Sequence, residues 1–168
     1  MKVDLIGKLK NTQLSKAKPL LPMFEAVVNS FQAIEDRRGN EVPARIEIVI
    51  ERETHSGFPL GGDVTGFTVI DNGIGFTDEN IDSFFTSDTQ YKLNKGGKGV
   101  GRFMWLKAFD RAMIDSHYMD NGKILNRVFT FSTDEGQANY KPTVSKETQP
   151  KTVVRLFGIG FYPIFTDG

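Results

Sequence analysis

An alternating pattern in residues 44–53, ARIEIVIERE, limits the possible folds of this chain more than any other stretch. Apolar and polar side chains alternate there with the period of two that is typical of a strand with one buried face. The Gly-rich segment HSGFPLGGDVTG separates this run from FTVID, residues 67–71, which is also rich in β-formers. Two such runs joined by a glycine-containing turn predict a β-hairpin, so we expect the fold to be built on a sheet.

The rest of the chain predicts a mixture of helices and strands. In chain order we expect a short strand at 3–10, helices over about 23–37, 78–85 (capped by Asp78) and 100–109, and strands at 111–119, 124–132 and 152–158. Asn121-Gly122, between the first two of these late strands, is a strong hairpin signal. Helices interspersed with such strands predict an α+β protein: a two-layer α/β sandwich with helices on one face of a mixed, mostly antiparallel sheet.

Composition limits the size, partners and chemistry of the protein. With 168 residues, 39% hydrophobic and 25% charged, we expect a single domain spanning 1–168. Lys plus Arg and Asp plus Glu are equal at 21 each, so no overall positive field signals nucleic-acid binding. The absence of cysteine excludes disulfides and cysteine-ligated zinc. No apolar stretch approaches the ~20 residues of a membrane span, and no signal-peptide core is present, so we expect a cytoplasmic location without a membrane partner.

The predicted helix MFEAVVNSFQAIED, residues 23–36, has two unlike faces. At 100° per residue, one face collects five apolar side chains: Phe24, Val27, Val28, Phe31 and Ile34. Glu25 and Asn29 lie one turn apart on the polar face. A carboxylate and an amide stacked in this way can take a proton from water and ligate magnesium, respectively. The alternative is the solvated face of an ordinary amphipathic helix.

The stretch VIDNGIGF, residues 69–76, ends a predicted strand with one acid and two glycines. Asp71 at a strand end can accept a hydrogen bond from a ligand amine, and Gly73 and Gly75 allow a flat ring to approach the backbone. A tight turn after a strand would use the same residue types, so both interpretations remain open.

The stretch GGKGVGRF, residues 96–103, places three glycines just before a predicted helix. Free backbone N–H groups and the helix dipole attract phosphate at such a place. A glycine-rich hinge without a ligand is the alternative. No Gly-Lys is followed by Ser or Thr, which excludes the P-loop signature, and neither Gly-x-Gly extends to Gly-x-Gly-x-x-Gly.

In this order and at this spacing, the three stretches resemble the GHKL, or Bergerat-fold, ATP-binding domain shared by DNA gyrase, heat-shock protein 90, histidine kinases and MutL. The resemblance covers residues 21–157. EAVVNSFQA is similar to the N box of that family, DNGIG to its first glycine box and GGKGVG to its second. TVVRLFG resembles a late strand that usually begins Gly-Thr.

The resemblance implies an ATP site with Asp71 as the acceptor of the adenine amino group. Gly75 would lie beside the ring, Gly73 would also belong to the nucleotide-binding residues, and Thr152 would join Asp71 through ordered water. Asn29 would hold Mg²⁺ through its amide oxygen, and Glu25 would activate the attacking water.

The resemblance also implies how the phosphates are held. The backbone of 96–101 would form the phosphate cradle, with these residues in contact with nucleotide: Gly97, Lys98, Gly99, Val100 and Gly101. The segment 86–98 would form a mobile lid whose side chains reach phosphate oxygens: Ser87, Thr89, Lys92 and Lys98.

Glu25 favours the hydrolytic branch of the family, because histidine kinases usually carry Asn at that position. We therefore expect slow, magnesium-dependent ATP hydrolysis, with lid closure coupling the ATP or ADP state to a partner or to a homodimer. Two departures from the family pattern are Gln32, where Asp is common, and Lys151, which replaces a glycine.

Two alternative functions remain. One is a nucleotide sensor that does not hydrolyse ATP, favoured by Gln32 and by the lack of a downstream catalytic lysine. The other is histidine-kinase-type phosphotransfer. The apolar residues of the last stretch, GIGFYPIFTDG, lead us to expect the N-terminal part of a longer protein, whose further domains would supply that lysine and a dimer interface.

Overall fold

The structure, a computed structural model, describes residues 5–37, 42–53, 62–86, 101–134 and 140–158. Its elements are α1 (Leu5–Asn11), α2 (Leu21–Asp36), β1 (Ile46–Arg52), β2 (Val64–Asp71), α3 (Asp78–Phe85), α4 (Gly101–Ala108), β3 (Arg111–Asp120), β4 (Lys123–Ser132), β5 (Thr143–Val144) and β6 (Lys151–Phe157). None of the described helices has the length and apolarity needed to cross a membrane. The predicted α+β class is confirmed.

The strands form one six-stranded open sheet in the order β1-β2-β6-β3-β4-β5. The described pairings are all antiparallel, so the sheet contains none of the parallel pairs that a mixed sheet would have. Both predicted hairpins are confirmed, and the β3–β4 turn has φ of 47° at Asn121 and 78° at Gly122. Because β6 lies between the hairpins, Thr152 pairs with Asp71 on one side and with Ser116 on the other.

One face of the sheet carries the core. Phe67 and Val69 of β2 lie opposite Leu156 and Val154 of β6, and all four side chains are buried. The helices add buried side chains to the same cluster, including Met23, Ala26, Phe84, Phe103, Trp105 and Leu106. The helices therefore pack on the sheet face that holds the core, as predicted.

Three of the five side chains on the apolar face predicted for the helix at 23–37 lie outside the core, whereas Val27 packs against the core and Ile34 is partly buried. Phe24, Val28 and Phe31 are 52%, 48% and 58% exposed. The buried side chains of α2 are instead Pro22, Met23, Ala26 and Ser30. Small residues on this side allow α2 to lie close to the loop after β2, where the Ile74 N–H donates to the Ala33 carbonyl oxygen at 2.8 Å. The close approach of α2 to this loop therefore contributes to which face of the helix is buried, in addition to the hydrophobicity of its side chains.

The strand predicted at 3–10 is also wrong, because residues 5–11 form helix α1. Leu9 is completely buried in the core, whereas Ile6 is exposed. Leu9 thus anchors the segment to the core, and this packing outweighs the weak local pattern.

Two smaller differences concern element ends. The side-chain oxygen of Thr77, rather than Asp78, caps α3, since it accepts the Asn80 N–H at 3.2 Å. Strand β5 is not predicted by the sequence pattern, because its two residues are both exposed and carry no alternation.

The loop after β2 is confined between α2 and β3. A Cβ on Gly73 would lie 2.6 Å from the carbonyl carbon of Ala33. Gly75 has a φ of 78°, and its Cβ would lie 2.8 Å from Ser116 Oγ and 2.9 Å from Tyr118 Cβ. Contacts within the protein therefore require both glycines, independently of any ligand.

Gly75→Ala should destabilise the protein more than Gly122→Ala. Both glycines have a φ of 78°, but a Cβ on Gly122 would meet nothing within 4 Å. Gly122→Ala should cost only the left-handed backbone penalty, about 1–2 kcal/mol. Gly75→Ala should add an overpacking cost of roughly 1–3 kcal/mol. Urea unfolding of the two variants measures the difference, and equal losses would mean that the loop relaxes away from β3.

Candidate functional site

A cleft of about 830 Å³, its solvent-open part included, lies beside α2. The space in it that a water-sized molecule can occupy is about 110 Å³, so the described walls enclose less than the roughly 300–1,000 Å³ typical of small-molecule sites. Its walls come from α2 (Ala26, Asn29, Ser30, Gln32, Ala33, Asp36), from the end of β2 and the loop that follows it (Asp71, Gly75, Phe76), from α3 and α4 (Asn80, Ser83, Phe84, Trp105) and from β6 (Thr152, Val154). The cleft therefore brings together residues from the first, second and last motifs of the sequence.

Asp71 is the buried acid of the cleft, with 4% of its surface exposed. One carboxylate oxygen accepts the hydroxyl of Ser30 at 2.8 Å, and the other accepts the backbone N–H of Gly73 at 2.9 Å. Burial raises the pKa of the Asp71 carboxyl above its ordinary value, and the two hydrogen bonds only partly oppose this effect. The acid is thus held in one orientation while retaining lone pairs for a further donor.

A second polar pair continues from Asp71 across the sheet. The hydroxyls of Thr152 and Ser116 are 2.9 Å apart, and Ser116 Oγ also accepts the Phe76 N–H at 2.9 Å. Both side chains are buried. The pair therefore connects the loop after β2 to both β3 and β6 by hydrogen bonds.

Arg127 fixes the same loop from β4. It pairs with Ser116 in the sheet, is buried, and donates to the Phe76 carbonyl oxygen at 2.8 Å and to the Asp78 carboxylate. The guanidinium also lies 5.1 Å from the centre of the Tyr118 ring. One buried cation therefore joins the cleft loop to the first turn of α3.

Part of the cleft wall is aromatic. Phe76 and Phe84 meet edge to face at 5.5 Å between ring centres, and Phe84 lies 6.1 Å from Trp105. Within the described residues, the buried Trp105 Nε1 has no hydrogen-bond partner. Polar acceptors together with flat apolar walls suit a ligand with an aromatic ring that carries an amino group.

Glu25 and Gly101 lie together near the N-terminus of α4. A Cβ on Gly101 would lie 2.2 Å from Glu25 Oε2, so the missing side chain makes room for the carboxylate. Burial raises the pKa of Glu25 above its ordinary value. Asn29, one turn further along α2, lines the cleft itself. The half-buried Glu25 carboxyl and the cleft-lining Asn29 amide therefore lie one turn apart on α2.

The predicted site residues have three different outcomes. The cleft is lined by Asn29, Asp71, Gly75 and Thr152, whereas Gly73, Glu25 and Gly101 adjoin it without being among its lining residues. The remaining predicted nucleotide contacts, and most of the predicted lid, lie outside the described residues: Ser87, Thr89, Lys92, Gly97, Lys98, Gly99 and Val100.

Sequence reasoning missed several cleft residues, although some carried a signal. Ser116, which adjoins the cleft through its hydrogen bond with Thr152, is a polar residue at an inward position of an alternating strand, where apolar side chains are normal. Ser30 follows Asn29 directly, but nothing in the sequence pattern links it to Asp71. Phe84 and Trp105 carry no such signal, because aromatic residues on short helices usually belong to the core.

Comparison with known proteins assigns no family to this chain. Neither a scan against protein-family models nor a search of curated proteins gives a match. The resemblance to the GHKL domain remains a prediction from the motifs.

Asp71→Asn should change the pH dependence of stability. A folded-state pKa above the unfolded-state value means that Asp71 stabilises the fold below about pH 3.9 and loses this contribution as the pH rises through the folded-state pKa. The amide keeps an acceptor for the Gly73 N–H but does not titrate. We therefore expect the variant to become more stable relative to wild type as the pH rises.

Urea unfolding of both proteins between about pH 4 and pH 8 measures this trend. The same substitution at the exposed Asp120 is the control. A stability difference that stays constant, or that reverses with increasing pH, would contradict the assignment.

Proposed function

We propose that this protein is an ATP-binding domain of the GHKL type, with a Bergerat fold, that binds ATP with Mg²⁺ and hydrolyses it slowly. The observation that carries the proposal is the buried Asp71 carboxylate, held by Ser30 and Gly73 beside an aromatic-walled cleft. The motif order in the sequence points to the same ligand class.

The chemistry of Asp71 favours adenine over guanine. A carboxylate has about four lone-pair positions, and two are used by Ser30 and Gly73. The remaining positions can accept the amino group of adenine. Guanine would present a carbonyl oxygen at the equivalent ring position, and two acceptors would then face each other without a proton. The buried acid therefore favours a base that presents a hydrogen-bond donor at this ring position.

The residues of α2 fit a magnesium-bound triphosphate. Asn29 offers an amide oxygen on the cleft wall, a ligand type that Mg²⁺ accepts. Mg²⁺, when bound, neutralises charge that develops on the phosphates. Glu25 has a raised pKa, which brings it nearer the range useful to a general base. Its neighbour Gly101 begins α4, where backbone N–H groups favour an anion.

A nucleotide sensor that does not hydrolyse ATP is the second candidate. Gln32 lines the cleft at a position where the family commonly has an acid, and Glu25 is not among the lining residues. In this function the nucleotide would be held by Asp71 and Asn29 without activation of water. Measurement of turnover separates it from the ATPase.

ATP binding should depend on Asp71 and on magnesium. We expect calorimetry with ATP and ADP to give tighter binding in the presence of Mg²⁺, and Asp71→Asn to lose about ten- to a hundredfold in affinity, on the order of 1.5–3 kcal/mol. Asp120→Asn is the matched control. Trp105 is the only tryptophan of the chain and lines the cleft, so its fluorescence gives an independent binding signal. GTP that binds as tightly as ATP would exclude this role of Asp71.

ATP hydrolysis should depend on Glu25. Glu25→Gln should retain nucleotide binding and lower the steady-state rate of phosphate release by roughly 10²–10⁴-fold, the usual contribution of a general base. Glu79→Gln, which changes an exposed acid of α3, should leave the rate unchanged. Equal rates in the wild type and Glu25→Gln would remove Glu25 from the reaction. Binding without turnover in the wild type would favour the sensor.

A further inference from the structure

The outward side of α2 carries an exposed apolar seam, which we define as Leu21, Phe24, Val28 and Phe31. These residues follow one another at intervals of three and four positions. The last three are about half exposed, and Leu21 is partly exposed. Intervals of three and four residues form the pattern by which one helix packs lengthwise against another. The seam therefore has the form of a helix-pairing surface.

Charges at the two ends of the seam indicate what covers it. Lys16 and Lys18, just before α2, are exposed, and Glu35, which continues the seam at its other end, is exposed and acidic. One end of the surface is thus basic and the other acidic. Such a surface complements a second copy of itself in the antiparallel direction, because each acidic end then meets a basic end.

We propose that the α2 seam binds the α2 seam of a second copy of this chain, with the two helices antiparallel. Pairing the alternating positions of the seam places Leu21 opposite Phe31 and Phe24 opposite Val28, a large side chain against a smaller one in each layer. In the same register Glu35 lies beyond the first turn of the other copy's α2, toward the turn at 15–21 that carries Lys16 and Lys18. The opposed helix dipoles add to the attraction.

This contact leaves the candidate ligand site open. Asn29 and Ser30 line the cleft on another side of α2, so a bound ligand and a second copy would not compete for the same side chains. The seam involves only four residues of each chain, which is a small interface by the standard of stable complexes. We therefore expect a weak dimer whose population rises with protein concentration. Pairing through the seam does not depend on the proposed function.

Two charge-reversed variants of the full chain test the proposal. In Glu35→Lys, and separately in Lys16→Glu with Lys18→Glu, like charges would face each other at both ends of an antiparallel homodimer. Each variant alone should have a dimer dissociation constant raised about tenfold or more relative to wild type. An equimolar mixture of the two should associate as the wild type does, because opposite charges then meet at both ends.

Sedimentation velocity over a concentration series is the measurement. Val28→Glu should abolish association, whereas Met119→Glu, which places the same charge on an exposed apolar side chain of β3, should not. Circular dichroism of each variant verifies that the fold is retained. A wild type that stays monomeric at every concentration would overturn the proposal and leave the seam to a different protein. Dimers that Val28→Glu does not weaken, or variants whose mixture fails to associate, would also overturn it.

Discussion

A buried row of polar side chains across the sheet is the constraint on which the rest of the structure depends. Asp71, Thr152, Ser116 and Arg127 occupy paired positions on β2, β6, β3 and β4 and all face the core side. Buried polar groups are costly unless they are hydrogen-bonded, so the elements around the row are arranged to supply partners. Ser30 on α2, the backbone N–H groups of the loop after β2 and the carboxylate of Asp78 fill that role.

The row also explains why the cleft lies where it does. On the core side of the sheet, the buried side chains next to the row, such as Val69 and Val154, are apolar. The buried side chains of the row itself are hydrogen-bond donors and acceptors. The cleft lining includes residues of both regions, the aromatic side chains and Asp71. The raised pKa of Asp71 follows from this position, because burial disfavours the ionised form of the carboxyl.

Sequence reasoning succeeded where the pattern was local and failed where packing chose between surfaces. The period of two in β1 and the Asn121-Gly122 turn predicted both hairpins, because strand faces and turn geometry are encoded by neighbouring residues. The motif order predicted that Asn29, Asp71 and Thr152 would meet at one site. The buried face of α2 could not be predicted in this way. Hydrophobicity favoured Phe24 and Phe31, but the close approach of the loop at Ala33 required small side chains.

The position of β6 has a consequence for how the molecule forms. The two hairpins join neighbouring segments and can close early, but β6 must enter between them from far along the chain: Arg155 bonds to Glu51, 104 positions away. Contacts of such separation slow folding, because a long loop must be ordered first. Asp71 gains its strand partner Thr152 only at this step. During synthesis, therefore, the candidate site cannot be complete until almost every other described element has emerged.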